Sequence, residues 1–117
     1  MKLLPLILVL LVGCASVPFE GWSKADTARQ ATVAALLAAD WYQTRRIAAD
    51  PNYVELNPIL GEHPSSGSVD LYMLTCAVAH TVVSGMLKPG HWREAWQYTW
   101  IGAEAVTVGR NYKIGVR

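Results

Sequence analysis

The amino-acid sequence predicts an all-α fold, a small antiparallel three-helix bundle with a long first connection, preceded by a cleaved signal peptide. One long segment repeats mainly apolar residues at helical spacing, another repeats tryptophans at helical spacing, and a segment between them is apolar on all sides. Stretches containing Pro and Gly separate the three segments. The 117 residues include ten Lys and Arg against nine Asp and Glu, a net charge of +1. With so even a balance and no basic cluster, we expect no nucleic-acid partner.

The N-terminal segment has the pattern of an export signal. Met1-Lys2 provides a short positive region, and residues 3–12 form an apolar run. As a helix this run rises about 15 Å, half of a bilayer core of about 30 Å, so it is too short to span a membrane. It ends in Leu11-Val12-Gly13-Cys14, which resembles the lipobox of bacterial lipoproteins. The resemblance implies that residues 1–13 are a lipoprotein signal peptide and that the cysteine becomes the lipidated first residue.

No cofactor is expected. The covalent lipid on Cys14 would attach the chain to a lipid bilayer, because each buried methylene contributes about 0.8 kcal/mol. Ala15 and Ser16 follow in place of Asp, which by the same resemblance favours the periplasmic side of the outer membrane over the inner membrane. The other interpretation is an ordinary secretory signal that happens to precede a cysteine. With Cys14 lipidated, Cys76 has no partner for an internal disulfide.

Residues 14–22 are predicted to be the lipidated N-terminus and a tether, and residues 23–117 the three-helix domain. Pro18 and Gly21 discourage regular structure in the tether. Trp22 fits either the lipid headgroups, where amphipathic rings are favoured, or the surface of the domain.

Helix one is predicted to begin near Ser23, which with Asp26 forms a weak capping box, and to end at Asp50-Pro51, because a residue before Pro leaves the α region. Its stripe at helical spacing consists of Val33, Leu37, Asp40, Thr44 and Ile47. One carboxylate, that of Asp40, is therefore expected on the buried face.

A loop is predicted over residues 51–68. A loop of this length in a small domain is usually functional or ordered by its own contacts. Helix two is predicted to begin between Ser68 and Asp70 and to end before Lys88. Because it has no formal charge from Leu71 to Leu87, it belongs at the centre of a bundle or in a bilayer.

Helix three is predicted from His91 to Asn111. Trp92, Trp96 and Trp100 share one side of it, and core packing is the expected role of this stripe. A membrane-spanning arrangement is the less favoured interpretation, because Asp40 and Glu104 lie inside helices one and three and a charge at mid-span costs about 2.5–3.5 kcal/mol.

Seven polar residues are expected to lie toward one end of such a bundle, with His80 one to two turns deeper than the others. They are Asp40, Thr44, Glu55, Asn57, His80, Glu104 and Asn111. The segments 40–44 and 55–58 resemble the Asp-x-x-x-Thr and Glu-x-Asn-Pro motifs of a family of small uncharacterised helical proteins from bacteria and phages. This resemblance implies a shared fold and carries no activity with it.

The favoured interpretation of this cluster is structural: Asp40 accepts hydrogen bonds from Thr44 or from loop amides, and a nearby cation balances its charge. The arginines available for this are Arg45, Arg46 and Arg110. A metal site of Asp40, Glu55, His80 and Glu104 has suitable ligand types but no supporting spacing, so we predict no metal ligand. Acid–base catalysis by paired carboxylates and a ligand pocket are the remaining alternatives, and no catalytic residue is predicted.

Three functional hypotheses follow. The first is a small lipid-anchored, non-enzymatic envelope lipoprotein that presents its helical domain to another envelope component or to a receptor. The alternative is an integral inner-membrane protein with an intramembrane polar site formed by Asp40, Glu55, Asn57 and Glu104. The third is a metal- or carboxylate-dependent enzyme.

Overall fold

The computed structural model describes residues 18–117. The prediction of an all-α, three-helix fold is confirmed for this part of the chain, which forms α1 (Lys24–Ala49), α2 (Ser66–Met86) and α3 (His91–Lys113) and no strand. The predicted signal peptide and Cys14 lie outside the described residues.

The first helix, α1, has the predicted limits. The Ser23 hydroxyl accepts a hydrogen bond from the Asp26 amide at 3.0 Å, and the Asp26 carboxylate accepts one from the Ser23 amide at 2.9 Å. This is a complete capping box, which satisfies two amides that have no partner within the helix. The helix ends where Asp50 turns extended before Pro51. The predicted stripe from Val33 to Ile47 is buried, together with Gln43.

The second helix, α2, begins two residues earlier than predicted. Ser65 is its N-cap and accepts a hydrogen bond from the Ser68 amide at 3.1 Å. Both residues are good caps, and the local sequence does not choose between them. The helix lies at the edge of the bundle, where Leu71 is 69% exposed and Val78 is 55% exposed. The sequence predicts either the centre of a bundle or a bilayer for a helix that is apolar on all sides. The structure does not place α2 at the centre of the bundle.

The third helix, α3, begins at the predicted residue and continues two residues past Asn111 to Lys113. It runs parallel to α1, since Arg29 bonds Gln97 near one end and Gln43 bonds the Val108 carbonyl near the other. The second helix is antiparallel to both. As a result α1 is the central element, and α2 and α3 approach each other at few points.

The tight connection between α2 and α3 is held by one buried cation. Arg93 is fully buried; its Nε donates to the Ser84 carbonyl at 2.8 Å and its Nη2 to the Leu87 carbonyl at 2.7 Å. These carbonyls lie at the end of α2, where carbonyl oxygens have no amide of their own helix to accept from. Its Nη1 lies 3.5 Å from the Asp26 carboxylate. Arg93 therefore joins the beginnings of α1 and α3 to the end of α2.

The described part of the tether packs against the same connection. The Phe19 amide donates to the Gly85 carbonyl at 2.7 Å, and Arg93 donates to the Glu20 carbonyl at 3.0 Å. The Phe19 ring fills the space next to Gly85, where a Cβ would lie 2.6 Å from it. Of the two positions left open for Trp22, the structure has the packed one, with its ring 5.1 Å from the Arg93 guanidinium.

The charge on Asp26 depends on this network. Burial acts to raise the pKa of Asp26, but hydrogen bonds from Ser23 and Arg29 and the charge on Arg93 outweigh it, so the pKa lies below its ordinary value of 3.8. A lowered pKa in the folded state stabilises the fold above the unfolded-state value. This contribution is present at neutral pH and is lost as the pH falls through the lowered folded-state pKa.

Replacing Arg93 with Met should lower the free energy of unfolding by about 3–5 kcal/mol, because the Asp26 carboxylate loses a buried partner and the end of α2 loses its donor. Lys88→Met is the matched control: Lys88 is exposed in the same connection, and its loss should change stability by no more than about 0.5 kcal/mol. Chemical denaturation followed by helical circular dichroism measures both. Equal stabilities of the two variants would contradict the role assigned to Arg93.

Candidate functional site

A polar pocket lies between the later half of α1, the first half of α2 and the later half of α3. Its volume is about 280 Å³, and part of the α1–α2 connection closes one side. The polar residues that line it are Asp40 and Thr44 on α1, Glu55 and Asn57 in the connection, Tyr72 and Cys76 on α2, and Glu104, Thr107 and Arg110 on α3. Three carboxyl groups and one guanidinium thus face a single cavity.

Asp40 is at the centre of this pocket and is 7% exposed. Its Oδ1 accepts hydrogen bonds from the Thr44 hydroxyl at 3.2 Å and from the Asn111 amide at 3.5 Å. The carboxyl group of Glu104 faces the same pocket. Ionised carboxylates only accept hydrogen bonds, so a hydrogen bond between the two groups would require a proton on one of them.

The arginines that were considered as partners of Asp40 lie elsewhere. Arg45 donates to both carboxylate oxygens of Asp70 at 2.9 Å, which ties the end of α1 to the beginning of α2. Arg46 lies over the ring of Tyr42. Arg110 lines the pocket, so it is the cation nearest to the predicted role.

The Glu-x-Asn-Pro segment folds the connection onto itself. The Glu55 carboxylate accepts from the Asn57 amide at 2.8 Å, and the Asn57 side-chain oxygen accepts from the Ile59 amide at 3.0 Å. The Asn57 carbonyl accepts from Leu60 and from Gly61, whose φ of +78° is easy only for glycine. These local bonds, and not bonds to Asp40, shape the loop beside the pocket.

His80 does not line the pocket. It is fully buried one turn from Cys76 on α2; its ring stacks on Trp96 with centroids 5.5 Å apart and meets Trp100 edge-on at 5.1 Å. Neither ring nitrogen has a hydrogen-bond partner within residues 18–117. Trp96 and Trp100 are half-buried against this ring, whereas Trp92 is 70% exposed and does not pack in the core.

Of the seven residues singled out from the sequence, five line the pocket and a sixth, Asn111, reaches it through Asp40. The five are Asp40, Thr44, Glu55, Asn57 and Glu104. Because His80 lies apart, the proposed metal ligands do not meet as a set. In the described part of the chain, no group of three His, Cys, Asp or Glu side chains is placed to hold a metal ion.

Sequence reasoning missed the polar stripe that α3 buries. Arg93 and Gln97 are fully buried, and Gln97 accepts from Arg29 at 2.8 Å. At helical spacing these positions continue through Glu104 to Asn111. This spacing is visible in the sequence, but the stripe of tryptophans beside it predicts a different buried side. Tyr72 and Cys76 were missed because the apolar run of α2 was treated as uniform.

Comparison of the chain with protein-family models, with curated proteins and with solved structures finds no match. A cavity of this size lined by acids, an amide, hydroxyls and a guanidinium can bind a small polar ligand and hold a proton between Asp40 and Glu104.

Two substitutions of Asp40 distinguish its hydrogen bonds from its charge. Asp40→Ala should cost about 1–3 kcal/mol, because Thr44, Asn111 and Glu104 lose a buried partner. Asp40→Asn should cost less than about 1 kcal/mol, because its oxygen still accepts and its NH2 group donates to Glu104 in place of the shared proton. Thermal unfolding of the purified variants measures both. If the Asn variant is as unstable as the Ala variant, the ionised form of Asp40 is what the fold needs.

Proposed function

We propose that the protein is a lipid-anchored, non-enzymatic membrane protein whose three helices lie in the bilayer and whose polar pocket is an intramembrane binding site. The observation that carries this proposal is the distribution of polarity. Among residues 18–117, nine polar or charged residues are buried against eight apolar ones, while fourteen large apolar side chains are exposed. A soluble domain buries apolar residues and leaves few contiguous apolar patches exposed, so this distribution favours a lipid environment.

The outer surface of the helices also contains a belt without charge. Every exposed residue between Arg29 and Arg45 on α1 is uncharged, and so is every exposed residue between Glu94 and Arg110 on α3. On α2 the belt covers residues 71–87. These stretches of 15, 15 and 17 residues rise about 22, 22 and 26 Å, which approaches a hydrocarbon core of about 30 Å.

The charges that opposed a membrane-spanning arrangement do not face outward. Asp40 is 7% exposed, and Glu104 is half-buried in the pocket that they share. Ionisable residues inside membranes typically face the interior of a bundle and pair with one another. The position of these two acids is therefore compatible with a bundle embedded in lipid.

Aromatic residues lie at both ends of the belt. Trp92 is 70% exposed at the end near Arg93, and Tyr42 and Tyr112 are each 57% exposed at the other end. Trp and Tyr are enriched at both membrane–water interfaces, so these positions support the same orientation of the helices across a bilayer.

One helix among the described residues, Ser66–Met86, is long and apolar enough to cross a membrane, and about a third of its most apolar 18-residue stretch is buried. The outward faces of α1 and α3 are richer in Ala, Thr and Gly than in large apolar residues. In this proposal they enter the bilayer together with α2.

A second candidate is the surface-held lipoprotein, whose lipidated Cys14 keeps a soluble domain at the outer membrane. The observation that favours it is the sequence Ala15-Ser16 after the lipobox cysteine. In that case the exposed stripe of α2 would contact an envelope partner. The stripe consists of Leu71, Leu74, Val78 and Val82.

The first experiment tests the anchor and the embedding together. Cells that express the wild type should incorporate radiolabelled palmitate, and Cys14→Ala should not. The Cys14→Ala protein should nevertheless stay in the membrane pellet after carbonate extraction, because its helices hold it there. Release into the soluble fraction would favour the surface-held domain, and palmitate in Cys14→Ala would refute lipidation at this residue.

A charge on the belt gives the second test. In the Cys14→Ala background, where no lipid holds the protein, Val78→Arg places a cation on the exposed stripe of α2, which should cost about 2.5–3.5 kcal/mol of insertion free energy and lower the carbonate-resistant fraction. Asn52→Arg, at an exposed position in the α1–α2 connection, is the control and should leave that fraction unchanged. Equal fractions for the two variants would contradict the embedding, because an exposed substitution in water usually shifts stability by less than about 0.5 kcal/mol.

A further inference from the structure

We propose that the polar pocket opens toward the cytoplasm, on the side of the inner membrane opposite the lipid on Cys14, so that a small polar ligand enters it past the α1–α2 connection. This inference rests on the proposed embedding of the three helices. It adds a direction to the bundle and a side from which the pocket is reached.

The first step fixes the end of the bundle that carries the lipid. Phe19 and Glu20 are hydrogen-bonded to Gly85 and Arg93, at the end where α2 stops and where α1 and α3 begin. Phe19 is the fifth residue after Cys14, a reach of at most about 18 Å. The lipid must therefore enter the bilayer near this end. Because a signal peptide directs export, this end faces the periplasm.

The second step places the pocket at the other end. Three helices cross a bilayer an odd number of times, so the α1–α2 connection and the C-terminus share the opposite face. Thr44 in the last turns of α1, Arg110 in the last turns of α3 and residues 55–57 of the connection all line the pocket. The pocket thus lies in the cytoplasmic half of the bilayer, next to the connection.

The distribution of basic side chains supports this direction independently of the lipobox. In residues 18–117, five exposed basic residues lie at the pocket end: Arg45, which is paired with Asp70, and Arg46, Arg110, Lys113 and Arg117. At the lipid end Lys24 and Lys88 are exposed, while Arg29 and Arg93 are paired with the buried Asp26. An excess of Lys and Arg marks the cytoplasmic side of membrane proteins, which agrees with a cytoplasmic pocket end.

Two introduced cysteines test the proposed direction of the bundle across the membrane. In a Cys76→Ala background that keeps Cys14 for lipidation, Lys88→Cys lies at the lipid end and Asn52→Cys in the connection, both at exposed positions. A membrane-impermeant maleimide should label Lys88→Cys on intact spheroplasts and Asn52→Cys only after lysis, with at least a tenfold difference in labelling. The reverse pattern would overturn the direction and leave the embedding intact. Labelling of both on intact spheroplasts would refute the embedding itself.

The native thiol tests the opening of the pocket. Cys76 lines the pocket in the otherwise unchanged protein, so an impermeant thiol reagent should modify it in inverted membrane vesicles and not in intact spheroplasts. Leu60→Trp, at a pocket-lining position of the connection, should slow this reaction several-fold, whereas Asn52→Trp should not. Equal rates from both faces, or no reaction in inverted vesicles, would overturn a pocket that opens to the cytoplasm.

Discussion

The Arg93 guanidinium is the contact on which the arrangement of the three helices depends. Its three nitrogens reach two carbonyls at the end of α2, the carbonyl of Glu20 and the carboxylate of Asp26. Since α2 and α3 otherwise approach each other at few points, this contact fixes their distance at one end. The stack of His80 on Trp96 then holds them apart farther along. The pocket lies beyond this stack, between the three helices, and residues of the α1–α2 connection line one side of it.

The proposed lipid environment would account for why polar contacts carry so much of this fold. In water the burial of apolar surface drives helices together, but lipid tails are as apolar as a leucine side chain, so that drive is lost inside a bilayer. Helix association there relies on close packing and on hydrogen bonds between helices. The described interior has this character: Gln97 and Gln43 each bond across from one helix to another, and Arg93 and Asp26 do the same with charge.

The elements could be predicted from the sequence, but the side of each helix that is buried could be predicted only in part. For α1, the cap, the stripe and the terminal Pro all agree, and its limits and its buried face were correct. On α3 the sequence predicts that the tryptophans form the core, because large apolar residues are expected inside a domain. The structure instead buries Arg93 and Gln97 and leaves Trp92 exposed. The sequence could predict that Asp40 and Glu104 lie in one cluster, because both residues are in the later part of helices that run parallel. That His80 lies outside the pocket depends on how α2 and α3 are spaced, and no local sequence pattern encodes that spacing.

The contrast between the two polar centres bears on what the pocket is for. At Arg93 all three guanidinium nitrogens reach an acceptor. At the pocket, Oε2 of Glu104 is buried without a hydrogen-bond partner in residues 18–117, and about 280 Å³ lies next to it. A purely structural cluster gains most when its groups satisfy one another, because an unsatisfied buried oxygen costs about 1–3 kcal/mol. The first centre meets that condition and the second does not, which supports the proposal that the pocket holds a polar occupant.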